Sequence, residues 1–367
     1  MTDSLHIALL APPFESVPPR LYGGTERVVD HLARGLVQAG HEVSVFASSD
    51  SHPAGRLIPV TDTALRLRNP PVQDASAIQL SLLLKLQASL STGNTGTDSP
   101  RRPIDIIHNH NDFWMLPLTR NVQVPMLTTL HGRLDLPDSL PAWREARGNH
   151  GYISISRAQR QAAPDLPWAA NIPHGLPLEQ YPYHPRPGSY LAFLGRICPE
   201  KRPEWAVQIA QQSGIPLKIA AKIEGKAGRD WYDEKIKPHV DGRFIEYVGE
   251  ISDREKGDFL GNALGLAFPI DWPEPFGLVM IEALACGTPV LARPCGSVPE
   301  VLTHGRTGFI AHDVQELGRL ARELPALSRA ICRHEAEVRF SLTRMTEDYL
   351  HAYRRIRELG EHGESRH

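Results

Sequence analysis

Short apolar runs recur along the whole chain, each followed by a polar stretch marked with glycine or proline. In the first half the runs are Leu5 to Ala11, then Val43, Val45 and Phe46, then Ile104, Ile106 and Ile107, then Val124 to Leu130, and Tyr152 to Ile155. They are four to seven residues long and largely unbroken by polar positions, which predicts strands buried on both faces of a parallel sheet. Between the first two, Val28, Val29, Leu32, Leu36 and Val37 fall at helical spacing and Gly40 closes the helix. Leu80 to Leu90 predicts a further helix, and Asn171 to Gly175 a last element of the first domain. Ser91 to Arg102, rich in Ser, Thr, Gly and Pro, reads as a mobile surface loop.

A second alternation starts at Tyr190 to Leu194 and runs on through a helix carrying Trp205, Val207 and Ile209. Strands follow at Leu217 to Ala221 and Phe244 to Val248, with the polar Lys222 to Asp230 between them reading as flexible. Asp253 to Leu264 predicts a helix and Leu264 to Ile270 a buried strand. A short helix begins at Gly277, with Leu278, Ile281, Leu284 and Ala285 on one stripe, and stops at Gly287. Gly305 to Ile310 is a turn into a short last strand. From Glu335 to Leu359, Val338, Leu342, Met345, Tyr349 and Tyr353 predict one long amphipathic helix. The three prolines between Tyr181 and Gly188 mark a linker. The pattern therefore predicts an α/β protein of two Rossmann-like domains, 1–180 and 181–345, with residues 346–367 a C-terminal helix packing across them.

Composition narrows this little. The 367 residues suit two cores rather than one. With 40 basic and 42 acidic residues, a formal charge of −2 gives no bulk attraction to nucleic acid or anionic membrane. The four cysteines, Cys198, Cys286, Cys295 and Cys332, form no Cys-x-x-Cys pair, which argues against a disulfide scaffold or structural zinc. No basic leader precedes the first apolar run and no transmembrane segment is expected, so the sequence predicts a cytoplasmic protein.

The candidate chemistry lies in the loops that follow strands, where such sheets bind ligands. Pro273-Glu274-Pro275-Phe276-Gly277 leads into a helix that carries Glu282. The helical part alone separates the two carboxylates by roughly 7–8 Å, too far for one metal and suited to two parts of one extended ligand. The Gly277 end offers free N–H groups to a phosphate. The alternative is a solvated loop acid and a surface helix acid. Arg196 and Lys201 flank the turn after Leu194, as a phosphate clamp or as a basic surface turn. Gly23-Gly24 opens the first helix, either for close approach of a ligand or as a tight structural turn. His108, His110 and Asp112 alternate after another strand; they suit hydrogen bonds to sugar hydroxyls better than a metal site. Phe14, Tyr22, Phe113, Trp114 and Trp143 can stack on a sugar or simply pack.

Over nearly its whole length, and most closely from Gly195 to Gly308, the sequence resembles the retaining glycosyltransferases of family 4. Glu274 and Glu282 stand with seven residues between them in that family's motif, and Gly195-Arg196 through Lys201 matches its phosphate loop. The resemblance implies the GT-B fold: two facing Rossmann-like domains with parallel sheets and a C-terminal helix bridging back to the first. It implies a nucleotide-sugar donor, with UDP-glucose favoured and GDP-mannose next, and a small-molecule, glycan or glycoside acceptor. No divalent metal or other cofactor is implied. Arg196 and Lys201 would contact the diphosphate. Glu282 would accept from the ribose hydroxyls, while Glu274 with the amides of Phe276, Gly277 and Leu278 would hold the sugar. Gly24, beside Gly23, would approach the donor from the first domain, and His110 would lie beside the reacting sugar. His174-Gly175 and Ile270-Asp271-Trp272 depart from the common family pattern. A GT-B epimerase acting on a nucleotide sugar, an inverting transferase and a non-catalytic sugar-nucleotide-binding protein remain the alternatives.

Overall fold

The computed structural model describes residues 4–91, 102–146 and 148–364. The surface loop expected over Ser91 to Arg102 falls almost wholly outside them. The chain forms two compact units. Unit 1 comprises residues 1–155, 160–173 and 342–367; unit 2 comprises residues 156–159 and 174–341.

Unit 1 is built on a seven-stranded parallel sheet. Its strands are β1 (His6–Leu10), β2 (Glu42–Ser48), β3 (Arg56–Thr61), β4 (Ile106–Asn109), β5 (Met126–Thr129), β6 (His150–Ser154) and β7 (Trp168–Asn171). They lie in the order β3-β2-β1-β4-β5-β6-β7. The middle strands read as unbroken apolar runs because helices cover both faces: β1 is buried at all five positions. The helix Gly24–Gln38 packs on one face, sending Val29, Leu32 and Leu36 into the same cluster as Leu9, Val45 and Ile153.

The last helix, Leu342–Glu364, completes that layer, with Met345, Tyr349, Tyr353 and Ile356 in the cluster. It crosses the first helix closely. A Cβ added at Gly35 would lie 2.0 Å from the Thr346 hydroxyl, so only glycine fits there. At the centre of this packing, fully buried His108 bonds through Nδ1 to the Tyr353 hydroxyl at 2.6 Å and through Nε2 to Thr129 Oγ1 at 2.8 Å.

Unit 2 holds a six-stranded parallel sheet in the order β10-β9-β8-β11-β12-β13. The strands are β8 (Leu191–Arg196), β9 (Leu217–Lys222), β10 (Ile245–Gly249), β11 (Gly265–Phe268), β12 (Val290–Ala292) and β13 (Gly308–Ile310). Leu191, Phe193, Ile219, Ala267 and Leu291 meet Val207, Ile209 and Leu317 in one core. Buried Arg329 fastens this unit by donating to the backbone carbonyls of His184, Ala263 and Gly261 and to Thr288 Oγ1.

Three local expectations are corrected. Lys222 to Asp230 is not a flexible tract: Gly225–Trp231 is helical, and Gly228 seats the helix close to the Ile197 carbonyl. The long C-terminal helix is two, Arg329–Arg339 and Leu342–Glu364, with the break at Phe340 and Ser341. Val338 consequently leaves the apolar stripe and is 58% exposed. The edge strand β3 was not anticipated. The prolines of residues 181–188 lie inside unit 2, and the chain passes between units at Ile155–Ser156, Gln159–Arg160, Pro173–His174 and Ser341–Leu342.

Burial holds the His108 imidazole well below its ordinary pKa, with the neighbouring His131 adding to the effect. A base kept neutral in the folded state is protonated first in the unfolded chain, so acidification below about pH 6.5 favours unfolding. His131, lowered to about 3 by desolvation, extends the same loss downward. Each such histidine contributes up to about 1.4 kcal/mol per pH unit. Denaturant titrations at pH 7.5 and 5.0 should therefore show His108→Gln losing about 2 kcal/mol less than the parent chain over that interval. An equal loss in both would refute the assignment.

Candidate functional site

In each sheet the chain builds outward on one side and then returns to the other side of the starting strand. This puts a switch point between β1 and β4 in unit 1 and between β8 and β11 in unit 2. Loops diverge there at the carboxyl ends of neighbouring strands and leave a crevice.

At the unit 1 switch point the loop after β1 carries Gly23 and Gly24. A Cβ at Gly23 would lie 2.6 Å from Pro19 Cβ, so the turn has no room for a side chain. The loop is fixed from several directions. Arg27, buried in the first helix, donates to the Gly23 and Leu21 carbonyls. Glu15 pairs with Arg66 at 3.3 Å. Burial raises the pKa of Glu26, in the first turn of the helix, while its own backbone amide and then the Arg66 charge oppose the shift. His110 follows β4, with its amide bonded to the Leu10 carbonyl of β1. Its ring lies 4.0 Å from that of His108, and its Nδ1 meets His131 Nε2 at 2.9 Å. Both histidine loops thus reach the same edge of the sheet, and burial keeps His131 neutral. Asp112 is raised from its ordinary value by burial. Among the described residues no group of three or more His, Cys, Asp or Glu side chains is arranged to hold a metal ion. Of the aromatic residues, Trp143 is core: it is buried against Leu116, Leu130 and Tyr152. Phe113 and Trp114 stack on one another at 5.6 Å.

At the unit 2 switch point three loops are laced together. β8 ends on Arg196 and the turn after it carries Lys201, the loop after β11 runs from Pro269 to Gly277, and the loop after β12 runs from Arg293 to Ser297. The Asp271 amide donates to the Glu200 carbonyl at 3.0 Å, and the Ser297 amide to the Glu274 carbonyl at 2.9 Å. Gly296, at φ 58°, is required where the third loop crosses the second, because a Cβ there would lie 2.3 Å from the Glu274 carbonyl oxygen.

Lys201 Nζ bonds Glu274 Oε2, with side chains only 13% and 8% exposed. Trp272 closes the node twice over. Its indole N–H donates to the same oxygen at 2.8 Å, and its ring lies 4.8 Å from the Lys201 ammonium. Asp271 braces the loop by accepting from Arg202 and Arg293. Those two charges hold its carboxyl below the usual range, hydrogen bonding from Arg293 being the larger effect. Both guanidinium groups also lie over Trp205, at 4.6 and 4.8 Å. The departure at Asp271-Trp272 is thus tied into the neighbouring loops at this switch point.

The other expected residues have separate partners. Arg196 faces Glu224 at 3.5 Å and Glu200 at 3.8 Å. Glu282, 2% exposed, accepts at Oε1 from Lys256 and from the Tyr181 hydroxyl, each at 3.2 Å. Gly277 takes φ 77° and caps the helix Leu278–Ala285, while the Ser297 hydroxyl bonds the carbonyl of buried Phe276. His174 lies edge-on to Phe276 at 4.8 Å. Lys222, Glu224, Lys256 and Tyr181 were not singled out by sequence reasoning. Trp272 was marked there only as part of the Ile270-Asp271-Trp272 departure, with no partner assigned to it.

Two family models match the chain: Glycosyltransferase Family 4 over residues 22–179 and Glycosyl transferases group 1 over residues 184–328. The glycogen synthase of Mycobacterium tuberculosis is 26% identical, the match covering 90% of this chain and 89% of that protein. The D-inositol 3-phosphate glycosyltransferase of Mycolicibacterium smegmatis is also 26% identical, covering 91% and 86%. Among solved structures, sucrose-phosphate synthase from Thermosynechococcus elongatus shares the fold with a TM-score of 0.77 at 19% identity, over 96% of this chain and 99% of that one. No helix among the described residues is long and apolar enough to cross a membrane. Matched in its first half by one model and in its second by the other, the chain belongs to glycosyltransferase family 4, enzymes of the GT-B fold that take a sugar from a nucleotide-sugar donor.

Proposed function

We propose that the protein transfers a hexose with retention of configuration from a nucleoside diphosphate sugar to a hydroxyl acceptor, without a divalent metal. UDP-glucose is the favoured donor and GDP-mannose the next. The observation that carries this reading is the node of Lys201, Glu274 and Trp272 at the unit 2 switch point, with Arg196 ending β8 just before the turn of Lys201.

A nucleoside diphosphate is already a good leaving group, so the protein has mainly to stabilise charge that grows on it. Arg196 and Lys201 are two fixed cations at the end of one strand, and the Gly277 helix start adds aimed N–H groups. Glu274 offers an acceptor to sugar hydroxyls, its orientation set by the indole and ammonium donors. Glu282, with Oε1 engaged, has Oε2 for the ribose. In unit 1, Gly23 and Gly24 offer bare backbone, and His110 a hydrogen-bonding ring. In front-face transfer the bond from the anomeric carbon to the phosphate oxygen breaks as the acceptor oxygen bonds the same face. The acceptor proton passes to the departing oxygen, so no protein base and no glycosyl-enzyme are needed.

Turnover of UDP-glucose and GDP-mannose with an acceptor panel tests this directly. Arg196→Ala and Lys201→Ala should each lower kcat/KM by about a hundredfold or more. Anomeric analysis by NMR should find retained stereochemistry, whereas an inverted product or an isolable glycosyl-protein adduct would overturn the mechanism. A narrower test addresses Trp272. Trp272→Phe keeps a ring beside Lys201 but removes the N–H that orients Glu274, a loss of about 1.5–3 kcal/mol for a bond to a charged group. Steady-state kinetics should show kcat falling by roughly tenfold or more with the KM for donor little changed. A rise in KM alone would mean that the indole only shapes the pocket.

A further inference from the structure

The cations of the unit 2 turn are all paired with acids. On the adjacent parallel strand, Lys222 stands in register with Arg196. Glu224 lies between them, its Oε2 3.5 Å from Arg196 Nη1 and its Oε1 3.6 Å from Lys222 Nζ. Glu200 adds a fourth charge, 3.8 Å from Arg196 Nη2. Lys201 is matched by Glu274. Counting Arg196, Lys201 and Lys222 against Glu200, Glu224 and Glu274, the cluster is neutral.

The Glu224 contacts differ in kind from the Lys201–Glu274 bond. They are longer than a charge-assisted hydrogen bond, and the Glu224 side chain is 40% exposed. Such partly solvated pairs are worth little, commonly under about 1 kcal/mol. Glu224 is also the residue before Gly225, which takes φ 63° at the start of the following helix, so its backbone sits at a turn and not inside an element.

We propose that Lys222 is a third cation of the donor diphosphate site and that Glu224 is its displaceable counter-ion. The inference rests on the donor-site reading above. In the empty enzyme Glu224 spans Arg196 and Lys222 and limits their mutual repulsion. A diphosphate brings more negative charge and more acceptor oxygens, and takes the two cations from it. A single phosphate brings too little charge to do so, and Glu224 thereby selects for nucleoside diphosphates over monophosphates.

Titration calorimetry with UDP, GDP and UMP, at low and moderate salt, tests this on the full chain. The variants are Glu224→Gln, Glu224→Ala and Lys222→Met, with Arg196→Ala and Lys201→Ala as references and melting curves to verify folding. For whichever diphosphate the parent prefers, both Glu224 variants should tighten binding by about 3- to 10-fold. They should tighten UMP more, narrowing the preference for diphosphate. Lys222→Met should weaken diphosphate binding by about 10-fold and flatten its salt dependence. If the parent binds neither diphosphate, or Arg196→Ala and Lys201→Ala bind like the parent, the donor site itself is misplaced and the proposal falls with it. If those two lose binding while the Glu224 variants are unchanged or weaker, or Lys222→Met is unchanged, the counter-ion role alone is refuted.

Discussion

Most of the unit 2 site depends on an ion pair drawn largely out of water. Taking a lysine and a glutamate into a half-dry loop carries a desolvation cost of several kcal/mol per ion, recovered only where geometry and further bonds are good. Here both conditions are met. Lys201 and Glu274 are in contact, and Trp272 supplies a second donor to the carboxylate and a π face to the ammonium. Replacing the pair with apolar residues would satisfy the core as well, so its presence is better explained by chemistry than by stability.

The surroundings follow from that requirement. A carboxylate that must keep one orientation needs a backbone that cannot drift, and the loop after β11 is accordingly tied to its neighbours on both sides. Asp271 is braced by two arginines, its amide is bonded to the turn after β8, and the Glu274 carbonyl is bonded to the loop after β12. Gly296 is small because that third loop must pass within contact distance of Glu274. The β8–β11 switch point creates the crevice, and these ties make its lining rigid.

Strands buried on both faces were legible because a two-sided sheet demands continuous apolar residues, and β1 and β11 show the pattern plainly. Edge strand β3 was not, since Arg56-Leu-Ile-Pro-Val-Thr61 has one open face and a proline. The helix Gly225–Trp231 was missed for a related reason: two glycines and three charged residues in seven leave no apolar stripe to read. The C-terminal break was hidden because Val338 and Leu342 stand four residues apart across it and so mimic one face. Residue type and motif spacing singled out Arg196, Lys201, Glu274 and Glu282 as candidates. Their partners Glu224 and Lys256 arrive from the turn after β9 and from a separate helix, and no local pattern reports a pairing that only the sheet order creates.

The return of the last helix to the first unit has a consequence for how the chain is made. Residues 174–341 form an almost contiguous unit, whose sheet is complete before the ribosome reaches Leu342. The strands of unit 1 precede it in the chain, yet they lack Met345, Tyr349, Tyr353 and the Tyr353 bond to His108 until residues 342–356 have followed. Domains usually mature in the order they leave the tunnel. Here the unit whose strands come later has all its parts earlier, and the core around Gly35 can close only once Leu342–Glu364 has been made.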